Sequence, residues 1–139
     1  MRSDTDCVFC KIVAGEIPCF KLYEDDLTMA FMDINPANRG HCLAIPKAHW
    51  KDLHAVPDEL IDATLHTAKR VAGAVRDTLR PDGINLVQAN GSGAAQSVFH
   101  FHVHILPRRS GDELKINWGL KPGDMDEIGE VADQLKSNL

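Results

Sequence analysis

The sequence contains no long apolar run and no excess of positive charge. No apolar stretch approaches the roughly 20 residues that a transmembrane helix needs, and the N-terminal MRSDTDCVFCK lacks the hydrophobic segment of a signal peptide. We therefore expect a cytoplasmic protein without a membrane partner. The formal net charge is −5, from 15 basic and 20 acidic residues, which argues against broad, non-specific binding to nucleic acid.

Repeats, low-complexity tracts and linker-like stretches are also missing. The 139 residues therefore predict a single domain, 1–139, with a motif-bearing core at 7–110 and a C-terminal tail at 111–139. Only four cysteines are present, and without a secretion signal they are expected to stay reduced. Two of them form the CxxC pair Cys7 and Cys10. Alone this pair is a weak signal, compatible with a redox pair, half of a zinc site or coincidence.

Hydrophobic periodicity predicts an α+β fold with a mostly antiparallel five-stranded sheet, one long helix and a short N-terminal helix. Strands are predicted at 20–24, 27–34, 41–47, 84–90 and 97–106. The long helix is predicted over 57–80, and shorter helices over 8–14 and 126–138. The apolar stripe of the long helix consists of Leu60, Ile61, Leu65, Ala68, Val71, Ala72, Val75 and Leu79.

The stretch FHFHVHILPRR places three histidines, His100, His102 and His104, at every second position. In an extended strand such residues share one face and lie roughly 6.6 Å apart. The alternate residues Phe99, Phe101, Val103 and Ile105 are then predicted to face the core, leaving the imidazoles on the more accessible side. Two chemical interpretations remain open: a metal site built on an HxH pair, or an imidazole that attacks phosphorus.

The loop before this strand, NGSGAAQS, favours the phosphate interpretation. Its small residues, amides and hydroxyls suit phosphate oxygens, although it lacks the GK[ST] ending of a nucleoside triphosphatase loop. By itself the loop is equally compatible with a plain hairpin turn. The neighbouring histidine row and the Pro107-Arg108-Arg109 segment strengthen the phosphate interpretation.

The segment QSVFHFHVHILPR resembles the His-φ-His-φ-His-φ-φ motif of the histidine triad (HIT) family, where φ is apolar. CVFCKIVAGEIP, AFMDINPANRGHCLAIPKAHW and NLVQANGSGAAQSV are similar to further segments of its bacterial members, so the resemblance covers about 7–110. It implies a nucleotide hydrolase or transferase in which His102 attacks the α-phosphorus of a nucleoside phosphoramidate or nucleotide anhydride and forms a covalent nucleotidyl-histidine. It further implies that His104 contacts the same phosphate, and that Ser97 and Gln96 hold phosphate oxygens or the leaving group.

The resemblance also implies a pocket for a purine nucleoside, usually adenosine in this family. Asp33 matches the ribose-binding carboxylate and Asn90 belongs to the phosphate loop, whereas the residues matched to the base are Val8, Phe9, Ile12, Phe31 and Ile34. The competing explanation is ordinary core for Phe31 and Ile34 and a turn at Asp33. Family members often have glycine where this chain has Ala95, in the phosphate loop. The resemblance also implies a homodimer, formed through the long helix and an adjacent strand.

Some bacterial members of the family bind one structural zinc ion through a CxxC pair, a downstream histidine and the first triad histidine. The matching residues here are Cys7, Cys10, His49 and His100, and such a site would remove His100 from catalysis. Two alternatives stay open: a catalytic zinc or iron held by His102 and His104, and a non-catalytic nucleotide-binding scaffold. His41 is interpreted as a residue that packs or hydrogen-bonds locally.

Overall fold

The computed structural model describes residues 1–139 and has the predicted α+β architecture. Five antiparallel strands form one sheet in the order β1-β2-β3-β5-β4, accompanied by three helices. The elements are α1 Val8–Val13, β1 Lys21–Glu24, β2 Thr28–Met32, β3 Cys42–Pro46, α2 Asp58–Leu79, β4 Gly83–Val87, β5 Val103–Arg108 and α3 Met125–Lys136.

The turn between β1 and β2 is held by a single carboxylate. Asp25 Oδ1 accepts hydrogen bonds from the backbone N–H of Leu27 at 2.9 Å and of Thr28 at 2.7 Å. Aspartate commonly closes turns in this way, because its short side chain reaches the backbone two and three residues on. The turn therefore lies between the two strands predicted at 20–24 and 27–34.

Helix α2 begins and ends within one residue of its predicted bounds, but its buried stripe is rotated. Leu65 was expected to face the core and is 44 % exposed, whereas Thr64 and Thr67 are buried. Thr67 Oγ1 lies 2.6 Å from Thr28 Oγ1 on β2. The sequence pattern did not show these two positions as buried, because threonine is not counted as an apolar residue in a hydrophobic period.

The predicted strand 97–106 is wrong at its start, because β5 begins only at Val103. The backbone N–H of Phe101 donates instead to the carbonyl of Trp50 at 2.6 Å. Neighbouring strand β3 ends at Pro46, which has no N–H to donate to a ladder. His100 and His102 therefore lie in an irregular segment. Of the four alternate residues expected in the core, Phe99 is 43 % exposed and the other three are buried.

Each face of the sheet is covered by a different helix. On one face α2 packs over a cluster that includes Ala30, Ala44 and Val103. On the other, α1 contributes Phe9 to a cluster with Met29 and Phe31. Helix α3 has no buried residues, and no helix of the chain is long and apolar enough to cross a bilayer.

Candidate active site and metal centre

A cavity of about 410 Å³ opens on the face of the sheet that carries α1. Its size is typical of a small-molecule site, and ten of its 17 lining residues are hydrophobic. Nine residues predicted from the sequence lie in its wall: Val8, Phe9, Ile12, Phe31, Asp33, Ile34, Ser97, His102 and His104. Segments distant in the chain are thus brought together around one space.

The side chain of His102 is held by the backbone of His100. Its Nδ1–H donates to the carbonyl oxygen of His100 at 2.6 Å, because a carbonyl can only accept. The ring packs edge-on against Phe9, with ring centroids 5.2 Å apart and an interplanar angle of 88°. Burial lowers the pKa of His102, and the hydrogen bond to His100 acts in the opposite direction. A neutral imidazole with a free Nε2 lone pair therefore lines the cavity.

His104 lies on β5 beside His102, with the two ring centroids 4.9 Å apart. Its Nδ1 is 2.8 Å from Nε2 of His41, the residue just before β3. Burial, together with the neighbouring His102 and His41, lowers the pKa of His104 to about 4. His41 accepts the local hydrogen bond expected of it, from the N–H of Ala37 at 3.0 Å, but it also lines the cavity, which its sequence position did not indicate.

Two residues predicted to bind the nucleotide do not line this cavity. Gln96 is buried, accepts a hydrogen bond from the N–H of Gly91 at 2.8 Å and donates to the carbonyl of Lys51 at 2.8 Å. Asn90 accepts from the N–H of Leu53 at 2.8 Å. Both side chains hold the loop 90–97 to the segment after β3, so their polar atoms are already used inside the protein.

Asp33 follows β2 and lies at the polar end of the cavity. Its Oδ1 accepts from the N–H of Asn35 at 2.8 Å, which makes the short turn expected there, and its Oδ2 is 3.5 Å from His41 Nε2. Ile34, at the rim, is 76 % exposed, so it is not an ordinary core residue. The wall also includes residues that no sequence pattern singled out: Ile17, Pro18, Cys19, Met32, Asn35, Leu43 and Val98.

The four predicted zinc ligands converge at one point beside the cavity. The ligand atoms of Cys7, Cys10, His49 and His100 all lie within 4.8 Å of one another. His100 Nδ1 is 3.4 Å from Cys7 Sγ and 3.6 Å from Cys10 Sγ, and His49 Nδ1 is 3.4 Å from Cys10 Sγ. Tetrahedral zinc with ordinary bond lengths keeps sulfur and nitrogen ligands about 3.6 Å apart, so this donor set fits zinc.

The groups around the cluster determine which ligand atoms carry a proton. His100 Nε2–H donates to the carbonyl of Pro46 at 2.8 Å, which leaves the lone pair on Nδ1, facing the sulfurs. Burial lowers the pKa of His100 to about 4 and raises that of Cys7 to about 11. The thiol therefore keeps its proton unless a cation stabilises the thiolate.

A second group of potential ligands, Asp33, His41 and His104, also has its donor atoms within 4.8 Å. Here, however, the two ring nitrogens are 2.8 Å apart. That distance is typical of a short N–H···N hydrogen bond, whereas two histidine ligands of tetrahedral zinc lie about 3.3 Å apart. We therefore interpret this group as hydrogen-bonded.

Comparisons with known proteins identify the family of this chain. The model of the HIT domain matches residues 14–111. The chain belongs to the HIT family. The protein hit of Bacillus subtilis is 41 % identical, over 99 % of this chain and 100 % of that protein. The adenosine 5′-monophosphoramidase of Saccharomyces cerevisiae is 40 % identical, over 98 % of this chain and 84 % of the yeast protein.

A solved HIT structure has the same fold. The zinc-bound histidine triad family protein of Mycobacterium smegmatis superposes with a TM-score of 0.75 at 39 % identity, covering 96 % of this chain and 98 % of that one. The resemblance to the HIT family and the predicted fold class are therefore confirmed, and the zinc-bound relative agrees with a candidate zinc cluster in this chain.

Proposed function

We propose that this HIT protein hydrolyses nucleoside phosphoramidates or nucleotide anhydrides at the α-phosphate through a covalent nucleotidyl-His102 intermediate. The lone pair of His102 Nε2 forms a P–N bond while the bond between phosphorus and the leaving group breaks. Water then cleaves the P–N bond and releases the nucleoside monophosphate. The nitrogen of a phosphoramidate would take up one proton from solvent and leave as an amine, and the water that later attacks phosphorus would return one proton. For an anhydride the leaving group would be a phosphate or nucleotide.

The hydrogen bond from His102 Nδ1 to the carbonyl of His100 at 2.6 Å carries this proposal. It leaves Nε2 unprotonated, so the ring can attack without a separate base. As the P–N bond forms, the ring becomes positively charged, and the carbonyl dipole stabilises that charge. Of the three imidazoles in the cavity wall, only that of His102 donates to a backbone carbonyl. That donation by one ring nitrogen leaves the other nitrogen unprotonated.

The rest of the cavity suits a nucleotide. Ser97 and His104 share the wall with His102 and offer hydrogen bonds to phosphate oxygens. Asp33 has a carboxylate oxygen within 4.8 Å of the ring nitrogens of His41 and His104 and can accept from the two ribose hydroxyls. The apolar residues around Phe9 and Phe31 suit the base. The yeast relative's name, an adenosine 5′-monophosphoramidase, supports adenosine as the nucleoside.

Incubation with adenosine 5′-phosphoramidate, and separately with diadenosine polyphosphates, tests the proposal. We expect the wild type to release AMP and His102→Ala to be slower by at least about 10⁴-fold, as for other lost nucleophiles. His54→Ala, at an exposed histidine outside the cavity, is the matched control and should be as fast as wild type. No turnover of either substrate by the wild type, or an equally fast His102→Ala, contradicts the proposal.

Trapping the intermediate separates this mechanism from the alternatives. A mass increase of one nucleotide on His102 is expected after rapid quenching of the wild type. A catalytic metal held by His102 and His104 would give no such adduct. Chelator inhibition is a poorer criterion, because a chelator would also remove a structural metal. A non-catalytic scaffold would bind the nucleotide and leave it intact.

We also propose that Cys7, Cys10, His49 and His100 hold one structural zinc ion per chain. The ion would join α1 to the segments that follow β3 and precede β5, and so stabilise the wall in which His102 lies. The distances between the sulfur and nitrogen atoms support this assignment, and elemental analysis of protein purified without chelator tests it. Less than about 0.2 zinc per chain would contradict it, since a site of this kind is normally filled.

We further propose a homodimer. Strand β4 is an edge strand of the sheet, so one side of its backbone has no neighbouring strand. Leu86 on this strand is 49 % exposed. Such an edge is suited to a second copy. Sedimentation equilibrium at micromolar concentration should give twice the mass of the chain, 15.3 kDa, and a monomer mass would contradict the proposal.

A further inference from the structure

We propose that His41 is a positioning residue that fixes the tautomer of His104, so that the Nε2–H of His104 faces the substrate while the neighbouring His102 presents a bare nitrogen. This inference rests on the proposed function for its consequence in catalysis. The tautomer itself follows from one hydrogen bond whose direction is fixed by its backbone donor, and from a second whose direction follows from the first.

The chain of hydrogen bonds starts at a backbone amide. The N–H of Ala37 lies 3.0 Å from Nδ1 of His41. Because a backbone amide can only donate, Nδ1 of His41 must carry a lone pair. Burial lowers the pKa of His41 although Asp33 acts in the opposite direction, so the ring is neutral at pH 7. The single ring proton of His41 therefore sits on Nε2.

The second hydrogen bond determines the tautomer of His104. Nε2 of His41 is 2.8 Å from Nδ1 of His104 and 3.5 Å from Oδ2 of Asp33. The shorter contact is within hydrogen-bond distance and the longer one is weak. His41 Nε2–H thus donates to His104 Nδ1, which must accept. A proton on both nitrogens would place two N–H groups against each other, so the proton of neutral His104 sits on Nε2.

Two adjacent imidazoles then have opposite tautomers. His102 is protonated on Nδ1 by its contact with the His100 carbonyl, and His104 is protonated on Nε2. Toward a bound phosphate, His102 offers a lone pair for attack and His104 offers a hydrogen-bond donor. With the other tautomer, His104 would turn a lone pair toward an anionic oxygen, and a donor to the developing charge would be lost. No proton needs to be transferred by His41 in this role.

The tautomer can be measured without substrate. In two-bond proton–nitrogen correlation spectra of ¹⁵N-labelled protein at pH 7, we expect Nδ1 of His104 to be unprotonated and Nε2 to be protonated. His41→Leu removes the donor and should change this pattern to a mixture or to the reverse. His41→Gln places a side-chain N–H₂ near the same point and should preserve it. His54→Leu, at an exposed histidine, is the control and should leave the His104 signals unchanged.

Kinetics with adenosine 5′-phosphoramidate provide the second readout. For His41→Leu we expect kcat to fall by about 10²-fold, the usual effect of losing one donor to the transition state, with a much smaller change in KM. His41→Gln should recover most of that loss, which a purely steric role of His41 would not give.

Three results would overturn the inference: a proton on Nδ1 of His104 in the wild type, an unchanged His104 pattern in His41→Leu, or an inactive His41→Gln that keeps the wild-type tautomer. If His41→Leu does not fold, the wild-type spectrum and His41→Gln decide. If the wild type shows the expected tautomer but turns over no nucleotide, the proposed function fails and the assignment of the tautomer stands.

Discussion

Removal of zinc should destabilise the protein, and a single cysteine substitution should greatly reduce that response. The four ligands come from α1 and the residue before it, from the segment after β3 and from the segment before β5. A bound ion would therefore cross-link three parts of the chain that are far apart in sequence. The variant we choose is Cys10→Ser, because Cys10 Sγ lies within 3.6 Å of both histidine ligands.

The size of the effect follows from linkage. At a free zinc concentration 1,000 times the dissociation constant, binding to the folded state alone adds about 4.1 kcal/mol to the free energy of unfolding. For a chain of this length, 1 kcal/mol corresponds to roughly 3–4 °C in Tm. The wild type should thus melt roughly 12–16 °C higher with zinc than without it.

Differential scanning calorimetry at pH 7, with zinc-loaded and chelator-dialysed protein, measures this difference. In Cys10→Ser the zinc-dependent rise in Tm should shrink to a few degrees, about a quarter of the wild-type effect or less. Cys19→Ser is the matched control, since Cys19 is a thiol outside the ligand cluster, and its response to zinc should equal that of the wild type. Equal Tm values for loaded and depleted wild type would refute the reasoning, as would a full zinc response in Cys10→Ser.

Three further predictions concern stability. Thr64 Oγ1 is buried without a hydrogen-bond partner, so Thr64→Val should raise the free energy of unfolding, measured in urea, by about 1 kcal/mol. Thr67→Val loses the hydrogen bond to Thr28 and should lower the free energy of unfolding. A lower value in both variants would contradict this. Ala95 has φ 64° and ψ 28°, a left-handed conformation that glycine adopts more easily, so Ala95→Gly should stabilise by about 0.5–1 kcal/mol, and a lower urea midpoint would speak against it. The pKa of His104 is lowered to about 4 in the folded protein, against about 6.5 in an unfolded chain. The unfolded state therefore binds the proton first, and stability should fall as the pH decreases from 6.5 to 4. Thermal melts should show a shallower fall for His104→Gln, and an unchanged slope would contradict this cause.

The local elements of the fold were predictable because they depend on neighbours in the chain. The period of apolar residues fixed α2 to within one residue at each end, and the strand-forming runs placed five strands. The predictions were wrong where contacts with distant segments determine the structure. Thr64 and Thr67 are buried because the helix is rotated toward the sheet, and residues 97–102 leave the strand because the neighbouring β3 ends at Pro46.

Composition and motifs identified most of the candidate site as well. The alternation of His100, His102 and His104 left metal and phosphate chemistry both open, and the CxxC pair alone was a weak signal. The division into a zinc cluster and a phosphate-facing pair came from the resemblance to the HIT family. The predicted wall residues and the four predicted ligands do converge in space. Their chemical roles remain the proposals stated above.

Only the tertiary structure decided how the three histidines differ. In the sequence they are equivalent members of one alternating row. In the fold, the carbonyl of Pro46 turns the lone pair of His100 toward the sulfurs, and the carbonyl of His100 orients His102. His41 lies beside His104 because of the antiparallel register of β3 and β5, which pairs Leu43 with His104. Register and carbonyl direction are properties of contacts between distant segments, so no local pattern in the sequence specifies them.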